Sequence, residues 1–204
     1  MGFYHDRILP HLIHLAMRNR ELERYRKRVI SAAEGRVLEI GVGSGLNLPF
    51  YRDAVREVIG LDPMPRLLLL AGQQAQRCAR PVELIRASAE SIPLDRHDID
   101  TVVTTWTLCS IPNASVALGE MRRVLKPAGK LVFVEHGRAD EIDVRRWQDR
   151  LDPLWTRLAG GCHLNRSISD LIAGAGFEIT QLDTGYMKGP RPMTFQYEGL
   201  ARPV

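Results

Sequence analysis

The chain contains little cysteine and few aromatic residues. Only three cysteines occur among its 204 residues, at Cys78, Cys109 and Cys162, which excludes a disulfide scaffold and a paired CxxC metal framework. Aromatic residues make up 6% of the chain, too few to interleave with basic residues along a nucleic-acid-binding surface. We therefore expect no bound metal ion and no nucleic-acid partner, and the scattered cysteines suit a reducing compartment.

The sequence also lacks a pattern typical of export or of membrane insertion. The longest uninterrupted apolar run is Leu67 to Ala71, whereas a spanning helix needs about 20 apolar residues. The first six residues have no basic start followed by an apolar core. Asp6 stands where myristoylation requires Ser or Thr. These features predict a cytoplasmic protein.

The remaining composition is that of a folded domain. Hydrophobic residues make up 45% of the chain and charged residues 25%, which is typical of a soluble globular protein. The net charge is +4, and much of the basic excess lies between Arg18 and Arg36. This cluster predicts the solvated face of an N-terminal helix, and a weak contact with an anionic membrane surface is the alternative. The sequence is compatible with either a monomer or a homodimer.

Short β-branched runs alternate with longer helix-like stretches from about Arg36 onward. Strands separated by helices of this length predict a parallel sheet built from βαβ units. The predicted strands are residues 36–40, 57–61, 82–86, 99–105, 130–135, 177–183 and 194–201, and the predicted helices are residues 66–79, 115–125, 140–158 and 167–175. Pro153 is expected to kink or interrupt the third of these helices.

The first predicted strand runs into a loop with glycine at every second position, Glu39-x-Gly41-x-Gly43-x-Gly45. Glycine accepts φ values that side chains forbid and lets a ligand approach the backbone closely. In an open sheet of this kind, ligands bind beyond the carboxyl ends of the strands. A dinucleotide fingerprint fails because position 46 is leucine, and a P-loop fails because no Gly-Lys-Ser/Thr follows.

The second predicted strand ends in Asp62, where one carboxylate can accept hydrogen bonds from two ribose hydroxyls. Together with the glycine loop, this pattern resembles the class I S-adenosylmethionine-dependent methyltransferases, and in particular the type 11 methyltransferases. The resemblance implies an α/β fold, a Rossmann-like doubly wound, mostly parallel sheet of seven strands, the last one antiparallel, with helices on both faces. It also implies S-adenosyl-L-methionine as the cofactor. The cofactor-binding residues that it implies are Glu39, Gly41, Val42, Gly43, Gly45, Asn47, Asp62, Pro63, Met64, Ser88, Ala89, Glu90, Thr105, Trp106, Thr107 and Cys109.

The acceptor class depends on later motifs. The Asn/Asp-Pro-Pro-Tyr/Phe motif of enzymes that methylate nucleobase amino groups does not follow the fourth strand. The series Trp147-Gln148, Asp152-Pro153-Leu154-Trp155 and Gly161-Cys162-x-Leu164-x-Arg166 resembles the alkyl thiol methyltransferases and their bacterial relatives. This resemblance implies methylation of a small-molecule thiol. The alternatives are O-methylation of a phenolic or quinone-precursor molecule, and a module that binds the methyl donor without using it.

A Glu135-His136 pair at the end of the fifth predicted strand supplies the candidate catalytic residues. His136 is the favoured proton acceptor and Glu135 the less favoured one, while a locally hydrogen-bonded histidine without a chemical role is the alternative interpretation. We expect the substrate pocket to include Tyr4, His5, Cys109, His136, Trp147 and Cys162.

The segment before the first strand, residues 1–34, predicts one or two helices that are broken near Pro10. Apolar residues at helical spacing give it one apolar face, formed by Leu9, Leu12, Ile13, Ala16 and Met17. We expect this segment to be a helical lid that closes over the substrate, and residues 35–204 to form the methyltransferase domain.

Overall fold

A computed structural model of the chain describes residues 9–204. Its strands are β1 (Gly35–Ile40), β2 (Val55–Leu61), β3 (Val82–Ile85), β4 (Ile99–Thr105), β5 (Leu125–His136), β6 (Phe177–Tyr186) and β7 (Phe195–Pro203). They form one seven-stranded sheet in the order β3-β2-β1-β4-β5-β7-β6. The pairs among β1 to β5 are parallel, and β7 is antiparallel to both of its neighbours. The predicted fold class is confirmed.

The helices are α1 (Leu9–Met17), α2 (Arg20–Ile30), α3 (Pro65–Ala75), α4 (Ala114–Val124), α5 (Ile142–Leu158) and α6 (Ile168–Gly174). Pro153 lies inside α5 and does not interrupt it, whereas the alternative expectation of a kink at Pro153 stays a prediction. Within residues 9–204, none of the helices combines the length and the hydropathy that crossing a membrane requires.

The predicted break near Pro10 lies at the border of the described residues, which begin at Leu9, and it stays a prediction. Pro10 lies within the described part of α1, Leu9–Met17. Among the described residues a break separates α1 from α2, where the Asn19 side chain accepts a hydrogen bond from the Glu21 backbone N–H at 2.9 Å. An asparagine N-cap of this kind starts a new helix, because it satisfies a donor that the helix itself leaves unpaired.

Apolar residues on the two faces of the sheet form two core clusters. On one face, Leu38 and Ile40 of β1 pack with residues of α4 and α6. On the other face, Val37 packs with Val29 and Ile30 of α2. The alternation follows from the strand period, since successive side chains point to opposite faces. Helices therefore cover both faces, as a mostly parallel sheet requires.

The strand order reverses between β1 and β4. From β1 the chain continues to β2 on one side, whereas β4 pairs with β1 on the other. Connections that leave these two strands in opposite directions open a crevice at their carboxyl ends. The glycine loop after β1 and the loop after β4, residues 106–111, both lie at this edge, and the latter is called the post-β4 loop below.

Candidate active site

The glycine loop is held in a backbone shape that side chains disfavour. Gly41, Gly43 and Gly45 have φ values of +66°, +55° and +76°, in the left-handed region that glycine adopts without strain. A Cβ at Gly41 would lie 2.5 Å from the Thr107 side chain, so the post-β4 loop packs directly on this residue. A Cβ at Gly43 would meet nothing closer than 3.8 Å. The loop is thus open at Gly43, where a ligand has access to the backbone.

Glu39 supports this loop from beneath. Its carboxylate accepts hydrogen bonds from the Asn47 side-chain amide at 2.8 Å and from the Tyr51 hydroxyl at 2.8 Å, and Glu39 is almost fully buried. Burial raises the pKa of Glu39 to about 7, although both hydrogen bonds and the nearby Arg26 oppose that shift. Asn47 also donates to the Thr105 hydroxyl at 3.0 Å. Glu39 and Asn47 therefore connect the glycine loop to the end of β4.

A buried arginine joins the N-terminal helices to the same loop. Arg26 of α2 donates to the Asn47 side-chain oxygen at 3.1 Å and to the Met17 carbonyl at 3.2 Å. Its guanidinium carbon lies 4.7 Å from the ring centroid of Trp106, within the range of a cation–π contact. Burial lowers the pKa of Arg26 to about 10. The sequence analysis did not single out Arg26, although it occupies the buried face of α2 with Leu22, Val29 and Ile30.

Helix α1 also contacts the glycine loop. The His14 Nδ1 atom lies 2.7 Å from the Ser44 hydroxyl oxygen, a hydrogen-bond distance. A Cβ at Gly160 would lie 3.1 Å from the Leu9 side chain, so the start of α1 packs beside the segment that follows α5. Both N-terminal helices thus lie against the edge of the crevice. Tyr4 and His5, which we expect in the pocket, lie outside the described residues.

Asp62 faces the loop from the end of β2. One carboxylate oxygen accepts a hydrogen bond from the Gly43 backbone N–H at 3.0 Å, and the other accepts one from the Met64 N–H at 2.8 Å. Burial raises the pKa of Asp62, while these two bonds oppose the shift. Each carboxylate oxygen has a second lone pair free for another donor. The residue therefore fits the ribose diol of an adenosyl group, with the open face at Gly43 beside it.

The predicted adenine-side residues follow β2 and β3. Met64 is half-buried, Pro63 is exposed and Ala89 is buried. Ser88 accepts a hydrogen bond from the Glu90 backbone N–H at 3.2 Å, and Glu90 accepts one from the Asn113 N–H at 2.7 Å. Glu90 thus ties this segment to the start of α4. Val42 is buried in the core beneath the glycine loop.

The post-β4 loop is anchored at its start. Trp106 has a φ of +52°, a left-handed conformation that is uncommon outside glycine, and its indole N–H donates to the Gln196 side chain at 2.6 Å. The Thr107 backbone N–H donates to the Glu135 carboxylate at 3.1 Å. Burial raises the pKa of Glu135 to about 7. Glu135 thus holds the loop, and Thr107 in turn packs on Gly41.

Polar members of the Trp147-to-Arg166 series hold the backbone around the crevice. Arg166 donates to the carbonyls of Leu108 and Ile111, both at 2.6 Å. Gln148 accepts a hydrogen bond from the Ala139 N–H at 2.9 Å and donates to the Gly137 carbonyl at 3.0 Å. These contacts give the backbone carbonyl and N–H groups around the crevice side-chain partners, which such groups need where they are buried.

Cys109, Cys162 and His136 meet at the carboxyl ends of β4 and β5. The Cys109 and Cys162 sulfur atoms lie 3.5 Å apart, and the Cys162 sulfur lies 3.8 Å from His136 Nδ1. His136 is buried, and its Nε2 atom has no hydrogen-bond partner among residues 9–204. The structure does not bring Trp147 to this group, since Trp147 is 54% exposed on α5 and lies under Arg150. We refer to Cys109, Cys162 and His136 as the sulfur–histidine cluster.

Comparison with known proteins gives the family to which this geometry corresponds. Residues 38–133 match a family model described as a methyltransferase domain. The thiol S-methyltransferase TMT1B of Rattus norvegicus is 34% identical over 151 residues, 72% of this chain and 62% of that protein. The thiol S-methyltransferase TMT1B of Homo sapiens is 32% identical over 177 residues, 81% of this chain and 72% of that protein. The chain therefore spans about three fifths of the rat relative's length.

A solved structure shares the fold. The crystal structure of an S-adenosylmethionine-dependent methyltransferase from Thermotoga maritima superposes with a TM-score of 0.69 at 21% sequence identity, covering 98% of this chain and 99% of that one. At this identity the likeness concerns the fold. It agrees with the seven-stranded sheet and its antiparallel strand β7.

Proposed function

The chain belongs to the S-adenosylmethionine-dependent methyltransferases, and we propose that within this family it methylates the sulfur of a small-molecule thiol. The observation that carries the proposal is the sulfur–histidine cluster at the carboxyl ends of β4 and β5. Polarizable sulfur atoms favour a soft, weakly hydrated acceptor such as a thiolate. Both relatives described above are named as thiol S-methyltransferases, which supports the same acceptor class.

S-adenosylmethionine is the cofactor of this family, and the residues at the crevice fit it. Asp62 would accept hydrogen bonds from the ribose hydroxyls through the lone pairs that Gly43 and Met64 leave free. The open backbone at Gly43 would receive the methionine part of the cofactor. The half-buried Met64 and the buried Ala89 would flank the adenine. Glu39 and Asn47 would act indirectly, by fixing the loop.

Bound S-adenosylmethionine supplies an electrophilic methyl carbon and a thioether leaving group. Since an in-line displacement needs alignment above all, the chain's own residues contribute mainly positioning and the exclusion of water. Arg166 and Glu135 fix the post-β4 loop through its carbonyl and N–H groups. One carboxylate oxygen of Glu135 holds that loop, and we assign His136 as the group that accepts the acceptor's proton, at its unpartnered Nε2 atom.

Removing the imidazole is expected to slow methyl transfer only where the acceptor is protonated. For His136→Ala with a small thiol, we expect kcat/KM to fall at about pH 6.5 by on the order of a hundredfold. The deficit should largely disappear once the pH exceeds the pKa of the acceptor thiol, because the thiolate then forms without a base. Transfer of labelled methyl from S-adenosylmethionine to 2-mercaptoethanol, measured across this pH range, checks the expectation.

A matched histidine variant and a set of other acceptors make this experiment decisive. His97 precedes β4 at the opposite edge of the sheet and has a φ of +59°, a conformation that asparagine tolerates, so His97→Asn should keep the wild-type pH profile. Phenols that turn over only with His136 intact, while thiols stay inert, would reject the thiol proposal. Tight cofactor binding without any transfer would instead favour a non-catalytic binding module.

The N-terminal helices are proposed as the lid of the cofactor site, supported by the contacts of His14 and Arg26 with the glycine loop. Arg26→Met preserves the length of the side chain but removes both of its hydrogen bonds. We expect the Kd for S-adenosylmethionine to rise about tenfold, because a charge-assisted hydrogen bond contributes on the order of 1.5 kcal/mol. Isothermal titration calorimetry measures this change directly.

The control for the Arg26→Met variant is a second arginine on helix α2. Arg24 is exposed on α2, so Arg24→Met should bind the cofactor as the wild type does. An unchanged Kd for Arg26→Met would remove the lid assignment. Sedimentation with phosphatidylglycerol vesicles tests the membrane alternative, and binding that depends on Arg24 and the neighbouring exposed cations would favour it.

A further inference from the structure

Cys109 and Cys162 are 53 positions apart in sequence, yet their sulfur atoms lie 3.5 Å apart. Cys109 belongs to the post-β4 loop, and Cys162 follows α5. The His163 backbone N–H donates to the Cys109 carbonyl at 2.8 Å, so the two backbones already run side by side. Both cysteines are free thiols, as is Cys78.

The methylation mechanism described above needs no covalent intermediate, so it leaves both thiols without a chemical task. A metal does not account for the pair, since residues 9–204 contain no group of three or more side chains placed to hold one. Packing alone explains one buried cysteine as a small hydrophobe. It does not explain why two thiols meet beside a buried imidazole.

We propose that Cys109 and Cys162 are a redox-active dithiol that is oxidised by small organic disulfides and that its disulfide form is inactive. Cys162 is the attacking thiol, because it is the less buried of the two and its sulfur also lies 3.8 Å from His136 Nδ1. Cys109, which is 2% exposed, is the resolving thiol. The oxidised form of a thiol acceptor is itself such a disulfide, so the same crevice that admits the acceptor admits the oxidant.

The exchange proceeds in two balanced steps. The Cys162 thiolate attacks one sulfur of the disulfide RSSR, the S–S bond breaks, and one RS⁻ leaves while Cys162 carries a mixed disulfide. The Cys109 thiol, after losing its proton to solvent or to the departing thiolate, attacks the Cys162 sulfur and expels the second RS⁻. Two enzyme thiols are oxidised, and one disulfide is reduced to two thiols.

The surroundings of the pair favour this division of roles. The hydrogen bond between the Cys162 and Cys109 thiols and the neighbouring His136 lower the pKa of Cys162, which makes it the stronger candidate for a thiolate. The same hydrogen bond, together with burial, raises the pKa of Cys109. Closing the pair requires the sulfur atoms to approach from 3.5 Å to about 2.05 Å. Gly160 and Gly161 directly before Cys162, with φ values of +65° and +91°, give that segment a backbone with few steric limits.

The disulfide form is expected to be inactive because of the position of the post-β4 loop, and this expectation rests on the proposed function. A disulfide would fasten the post-β4 loop to the segment after α5 and draw the Cys162 sulfur toward Cys109. The carbonyls that Arg166 holds and the N–H that Glu135 holds belong to that loop. A shift there reaches Gly41 through Thr107.

The test uses the full chain and bis(2-hydroxyethyl) disulfide, the oxidised form of 2-mercaptoethanol. After incubation, we expect intact mass to show the loss of two hydrogen atoms, and alkylation after unfolding to label Cys78 alone of the three cysteines. A peptide map should contain Cys109 joined to Cys162. Methyl transfer should fall with disulfide formation and return after treatment with tris(2-carboxyethyl)phosphine, a reductant that is not itself a thiol acceptor.

Three variants separate the roles. Cys109→Ser should accumulate the 2-mercaptoethanol adduct on Cys162, because nothing resolves it. Cys162→Ser should leave Cys109 unmodified. Cys78→Ser, remote from the pair, should respond as the wild type does. No disulfide in the wild type, an adduct on Cys109 in Cys162→Ser, or full turnover with the disulfide formed would each overturn the proposal. The mass and labelling results stand even if thiols prove not to be the acceptors.

Discussion

Asp62→Ala is expected to weaken the binding of S-adenosylmethionine by on the order of 2 kcal/mol, about a thirtyfold rise in Kd. The carboxylate is buried, and it already accepts hydrogen bonds from Gly43 and Met64. Its two free lone pairs are the proposed partners of the ribose hydroxyls. The substitution removes those charge-assisted bonds and also frees the backbone N–H that helps to fix the glycine loop. Isothermal titration calorimetry with S-adenosylmethionine and with S-adenosylhomocysteine measures the loss.

Two further variants show whether the loss of affinity in Asp62→Ala is specific to this carboxylate. Asp53 is fully exposed on the connection before β2, so Asp53→Ala removes an acid of the same kind and should leave the Kd unchanged. Asp62→Asn keeps the shape of the side chain and an acceptor for Gly43, and should bind better than Asp62→Ala. Equal affinity in wild type and Asp62→Ala, or binding of NADH in place of the methyl donor, would contradict the assignment.

The free energy of unfolding is expected to fall as the pH rises from about 4.5 to about 7, because Glu39 and Glu135 both hold a proton in the folded state over that range. Burial raises the pKa of each to about 7, from 4.5 for an ordinary glutamate. Between these values the unfolded chain has already released both protons, so it binds fewer protons than the folded chain and rising pH favours unfolding. A shift of this size corresponds to about 3 kcal/mol for each group.

Urea unfolding at about pH 5 and about pH 8 measures this dependence. Glu39→Gln should remove about half of it, because glutamine keeps polar partners for Asn47 and Tyr51 but does not ionise. Glu178 is exposed on β6, so Glu178→Gln should keep the wild-type dependence. A flat wild-type profile, or an equal slope in Glu39→Gln, would show that neither buried carboxyl group carries the expected proton.

The part of the site that the sequence predicted lies within short segments. A strand followed by Glu39-x-Gly41-x-Gly43-x-Gly45 requires a sharp, left-handed turn at its carboxyl end, and the structure has it. Asp62 follows the next strand and faces that turn, because parallel neighbours end at the same edge of the sheet. Such features depend on the chain a few residues away, so the sequence alone could reveal them.

Several contributors to the site were not predicted, because their role depends on partners far along the chain. Arg26 meets Asn47 only after α2 packs on the sheet, and nothing near Arg26 distinguishes it from the exposed cations beside it except its place on the buried face of the helix. The break between α1 and α2 at Asn19 was likewise not singled out, because it depends on a side-chain cap of the second helix. Trp147 stays a predicted pocket residue that the described structure leaves exposed.

The sequence by itself determined the sheet, the glycine loop, the acid at the end of β2 and the family to which they point. The reason is that the periodicity of hydrophobic residues, the spacing of glycines and the ends of strands are local properties of the chain. Only the tertiary structure decided which distant groups meet at the crevice. Cys109 and Cys162 were separate pocket candidates in the sequence, and their 3.5 Å approach results from the packing of the segment after α5 against the post-β4 loop. Such encounters are fixed by long-range packing and backbone hydrogen bonds such as that from His163 to Cys109, and no short segment of the sequence encodes them.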